Sequence, residues 1–159
     1  MKTKVIALII ASLTFATAAE KIKAPNGGRI INAVEPRAEF LITADKKVEI
    51  RFLAADGKVI APAAQVVTVT MGDRAAPTKL AFTKDGDKLV SDKTIPEGKE
   101  LPVVVQIKTT PDAKAVNAKF NLNMAICAEC KHSEYACTCD HGGAEKGQED
   151  HDHKPGEKH

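Results

Sequence analysis

Val116-Asn117-Ala118-Lys119-Phe120-Asn121-Leu122-Asn123-Met124-Ala125-Ile126 carries an apolar side chain at every second position, with three asparagines, a lysine and an alanine between. Successive side chains of an extended chain point to opposite faces, so this run has one face for a core and one for water. The same period of two recurs upstream at Leu101, Val103, Val105 and Ile107, at Val67, Val69 and Met71, and at Val48, Ile50 and Phe52. Residues 29–32, 38–43, 58–61, 78–83 and 89–91 are shorter strand candidates, and no window sustains the 3.6-residue stripe of a helix. Asp56-Gly57 and Asp85-Gly86 mark hairpins, because glycine reaches positive φ without steric cost, and Pro96-Glu97-Gly98 and Pro111-Asp112-Ala113 mark two further reversals.

Seven to nine short strands with regular turn signals predict an all-β, immunoglobulin-like β-sandwich, with an open barrel as the alternative. The likeness is architectural, since the chain has no Trp and therefore no Cys–Trp–Cys core. With a single Tyr and few aromatics, the core is expected to be aliphatic and a sugar-stacking surface is disfavoured. A body over residues 19–126 is large enough for one core. It holds no Cys or His and no recognisable pair of catalytic carboxylates, so an enzyme is not expected. Its acids Glu35, Glu39 and Glu49 are read as solvated strand positions.

Lys2 and Lys4, an apolar stretch over residues 5–15 and the small-x-small step Ala16-Thr17-Ala18 predict a secretory signal peptide over residues 1–18. The apolar stretch is too short to span a bilayer, and no second long apolar run follows, so a periplasmic or secreted protein that does not span the membrane is expected. The whole chain carries 23 basic and 21 acidic side chains. The leader accounts for two lysines and no acid, which leaves 21 of each. A near-neutral charge with scattered lysines argues against nucleic-acid binding.

Ala24-Pro25-Asn26-Gly27-Gly28-Arg29-Ile30-Ile31, then Ala38-Glu39-Phe40-Leu41, then Lys47-Val48-Glu49-Ile50 with Asp56-Gly57-Lys58, resembles the small periplasmic β-module of heavy-metal efflux adaptor proteins and their stand-alone relatives. The likeness covers residues 24–72 and implies metal handling, with an efflux component as a partner. In that family a His/Glu pair stands on the strand after the Gly-Gly opening. Here Pro36-Arg37-Ala38 precedes Glu39, with no histidine. From the residues alone, Gly27-Gly28 lacks the spacing of a phosphate loop and reads as a turn into the first strand.

Every Cys and His lies in the last 33 residues. Cys127-x2-Cys130 and Cys137-x-Cys139 are two pincers that six intervening residues can fold onto one ion, Zn(II) enclosed by four thiolates or Cu(I) by fewer. His132 is a further candidate ligand, and Tyr135 is read as a packing residue seating this knob, residues 127–139, against the sandwich. Disulfides are the competing fate in an oxidising compartment, by either crossed pairing of the four cysteines. A redox-active pair is a third reading. It is disfavoured because the motif follows a strand, and Glu129 and Glu134 would raise rather than lower thiol pKa values.

Residues 140–159 hold one alanine and no other apolar residue, and are expected to be disordered. Within them His141, Asp150, His151, Asp152 and His153 could form a weaker outer site for Zn(II), Cu(II) or Ni(II). The function expected is an exported, non-enzymatic metal-binding protein that buffers or delivers heavy metal in the periplasm. The alternative is an envelope protein-interaction module whose cysteines form structural disulfides.

Overall fold

The computed structural model describes residues 22–139, which form two antiparallel sheets packed face to face. The leader expected over residues 1–18 and the tail over 140–159, with His141, Asp150, His151, Asp152 and His153, lie outside the described residues. Ten strands appear in chain order: β1 Arg29–Ile31, β2 Arg37–Ile42, β3 Lys47–Leu53, β4 Val59–Ile60, β5 Val66–Met71, β6 Thr78–Leu80, β7 Phe82–Asp85, β8 Lys88–Thr94, β9 Glu100–Lys108 and β10 Val116–Asn123. One sheet has the order β1-β2-β3-β8-β7, with β4 also on β3; the other runs β10-β9-β5-β6. Among the described residues no helix is long and apolar enough to cross a membrane.

The alternating faces fall as the pattern requires. Ala38, Phe40, Ile42, Val48, Ile50 and Phe52 turn inward from one sheet, and Val67, Val69, Met71, Leu101, Val103, Val105, Ile107 and Leu122 from the other. Each of these side chains larger than Ala38, taken fully out of water, contributes about 1.5–3 kcal/mol.

Three departures from the sequence pattern have local causes. Residues 78–83, read as one strand, are split at Ala81: β6 pairs with β5 in one sheet and β7 with β8 in the other. This crossing raises the strand count to ten. β10 stops at Asn123 instead of running to Ile126, because Asn123 Oδ1 accepts the Ala125 N–H at 2.9 Å and turns the chain out of the ladder. Met124 and Ile126, in phase with the core, are exposed as a result, Ile126 by 63%. Finally, Glu35 is an exposed turn residue, whereas Glu39 and Glu49 are buried rather than solvated.

Glu49 sits on the central strand β3, opposite Leu41 on β2 and Val90 on β8, and these neighbours cover it. Its two oxygens accept Lys88 Nζ and Arg51 Nη2, each at 2.6 Å. Burial pushes the carboxyl up, but the Lys88 hydrogen bond and the Arg51 charge outweigh it, so the group is held below the ordinary value. A lowered folded pKa stabilises above the unfolded pKa of about 4.3 and is lost as pH falls through the folded value. Glu49→Gln is expected to cost about 2 kcal/mol at pH 7. That gap from wild type should close in urea melts repeated towards pH 3.

Candidate metal centre

The site is built where β10 ends. After the Asn123 turn the chain doubles back as a small hairpin: Ile126 bridges Ser133, Glu134 N–H donates to Ala125 O at 2.8 Å, and Cys127 N–H donates to His132 O at 2.8 Å. Within this hairpin Cys127 and Cys130 lie on one tight turn, closed by Lys131 N–H donating to Cys127 O at 3.1 Å. Reversing the chain there puts Lys131 at φ 61, the left-handed region. A 3-10 turn, Glu134–Ala136, follows and delivers Cys137 in extended conformation back beside the first pincer.

Tyr135 fixes this hairpin to the sandwich. Its ring is 3% exposed and meets Phe40 edge-on at 5.9 Å. Its hydroxyl oxygen accepts Ile42 N–H at 3.0 Å, and its carbonyl accepts Arg29 Nη1 at 3.1 Å. Arg29 also lies 4.9 Å over the Phe120 ring, and Phe120 stands edge-on to Phe40 at 5.1 Å. The knob is therefore seated on β1, β2 and β10 together. Burial raises the Tyr135 pKa against the Ile42 hydrogen bond, which keeps the phenol protonated.

None of the four cysteines is in a disulfide, and their sulfurs all lie within 4.8 Å of one another. Cys137 Sγ is 3.5 Å from Cys127 Sγ and 3.6 Å from Cys130 Sγ, and it accepts Cys139 N–H at 3.4 Å. Four sulfurs around a tetrahedral ion at 2.3 Å per bond stand about 3.8 Å apart, so the group could hold one metal ion with little adjustment. Cys127 is buried, while Cys130, Cys137 and Cys139 are half-exposed and reachable from solvent.

Crowding makes two of these thiols, Cys137 and Cys139, resist ionisation. Cys139 is pushed up by desolvation and by hydrogen bonding to its three neighbours. At Cys137 the Cys139 N–H favours the anion, yet desolvation and the contacts with Cys127 and Cys130 leave its pKa raised. Like charges so close need a cation among them, and metal uptake here must therefore release protons.

His132 is not one of the four converging donors. Its carbonyl holds Cys127, while its imidazole stands against the opening loop, Nδ1 only 3.2 Å from where a Cβ on Gly27 would lie. It lines an open cleft of about 540 Å³ together with Lys23, Asn26, Leu41, Lys131 and Tyr135.

Two residues that position the knob carry no warning in the sequence pattern. Arg29 is one. Glu39, 0% exposed, is the other: Oε1 accepts Asn26 N–H and Gly28 N–H, and Oε2 accepts Asn26 Nδ2, all at 2.9 Å. This carboxylate is what folds the opening loop down into the turn expected before β1. Both glycines are required there. Gly27 has φ 77, and a Cβ on Gly28 would meet Phe40 O at 2.4 Å.

Compared with protein-family models, with curated proteins and with solved structures, the chain has no match.

Proposed function

We propose that this protein is an exported metal-binding protein that takes up one Zn(II) or Cu(I) ion between Cys127, Cys130, Cys137 and Cys139 and buffers or delivers it outside the cytoplasm. The observation that carries the reading is the meeting of four cysteine sulfurs, none in a disulfide, within 4.8 Å on a hairpin anchored to the sandwich. Both ions are soft enough to prefer sulfur, and both would be exchangeable through the three half-exposed thiols. The leader at residues 1–18 supports export to the periplasm. The donors His141, Asp150, His151, Asp152 and His153 would give a weaker outer site that raises the local ion concentration. A heavy-metal efflux component is the recipient that fits this chemistry. No step requires catalysis.

The test is native mass spectrometry of the reduced full-length protein supplied with either ion. Wild type is expected to keep one tightly held ion per chain, and Cys137→Ser none under the same conditions. Because each ligand must shed a proton, occupancy should fall as the solution is acidified and recover on neutralisation. Absence of any bound ion from wild type at neutral pH overturns the proposal.

A further inference from the structure

We propose that the four sulfurs also form an oxidation-sensitive latch, in which a hydroperoxide joins Cys130 to Cys137 as a disulfide and the ion is released. This rests on the metal-binding reading and adds how the ion is let go. Cys137 is the hub of the cluster, in contact with Cys127 at 3.5 Å and Cys130 at 3.6 Å. Closing either contact to a bond of about 2.05 Å needs a movement of about 1.5 Å.

The two partners differ in their freedom to make it. Cys127 is 1% exposed, and its N–H and C=O are both committed, to His132 O and Lys131 N. Cys130 is half-exposed at the tip of the turn, where an oxidant can reach it. A bridge inside the second pincer spans a single residue and would be strained.

With an ion bound, the sulfurs are thiolates. The Cys130 thiolate attacks one peroxide oxygen; an S–O bond forms, the O–O bond breaks and hydroxide leaves. The Cys137 thiolate then attacks the oxidised sulfur, forming the S–S bond and expelling the second hydroxide. Two thiolates have given two electrons to the peroxide. Cys127 and Cys139 remain, too few to enclose a tetrahedral Zn(II), which dissociates. A thiol reductant reverses the process.

Zinc-loaded full-length protein treated with one equivalent of hydrogen peroxide should release its ion to a chromophoric chelator while two of four thiols disappear. Peptide mapping should show Cys130 joined to Cys137, and dithiothreitol should restore the thiols and the ion. A Cys127–Cys137 bridge, a bridge within either pincer, or sulfinic acid without a bridge overturns the inference. Metal-free protein treated in the same way decides the pairing independently. If wild type never binds an ion the metal reading falls, yet formation of the Cys130–Cys137 bridge, absent from Cys130→Ser, would still stand or fail by itself.

Discussion

Tyr135→Ala is expected to lower the unfolding free energy by about 3–5 kcal/mol, the cost of deleting a buried aromatic ring. The ring is nearly inaccessible, and its removal uncovers Phe40 and leaves the Ile42 N–H without its acceptor. The hairpin carrying the four cysteines would lose its main hold on the sandwich, so the variant should also bind metal more weakly than wild type. Tyr135→Phe separates the two contributions. It keeps the ring and removes only the acceptor, for about 1–3 kcal/mol, and should retain the ion. Urea denaturation with parallel ion-retention measurements checks both. Undiminished stability in Tyr135→Ala would mean that the knob is not seated as described.

Glu39→Ala should cost about 3–5 kcal/mol, comparable to breaking a buried charged network. Three donors converge on this carboxylate, two of them backbone N–H groups, and alanine would leave all three without it. Because the opening loop packs against His132, the disturbance should reach the knob hairpin as well. Hydrogen exchange gives the sharper reading. The Asn26 and Gly28 amides, bonded to Glu39 and expected to be protected in wild type, should exchange rapidly in Glu39→Ala while those in β5 and β9 stay slow. Continued protection of Gly28 would show that Glu39 is not what holds the loop.

The sandwich was legible because period-two alternation reports directly on which side chains face a core, and long strands such as β9 and β10 sample that period several times. What broke the pattern was local hydrogen bonding. Asn123 looks like one more polar strand position, yet its side chain competes with the ladder for a backbone N–H and ends β10 early. The crossing at Ala81 was hidden for a related reason, since three residues in one sheet and four in the next read as one continuous strand.

The ligand group was legible from spacing, because two short pincers on one reversal can hardly avoid each other. Its supports were not. Glu39 occupies an outward strand position where a carboxylate ordinarily meets water, and nothing in its neighbourhood announces that a distant loop folds over it. Arg29 serves Tyr135 across 106 positions, a separation at which a single sequence carries no pairing signal. Tyr135 itself could be foreseen as a packing residue, being the one tyrosine of the chain and lying between the pincers.

The span of these contacts sets a folding order. Cys137 meets Cys130 and Cys127 across only 7 and 10 positions, so the hairpin closes over a short loop and can form early. Tyr135 reaches Ile42 across 93 positions, a closure that must wait for the sheets to assemble. During synthesis β2 emerges long before the residue that covers Phe40, leaving that patch bare in the nascent chain. Closure of the cysteine hairpin and its docking on the sandwich thus run on separate clocks.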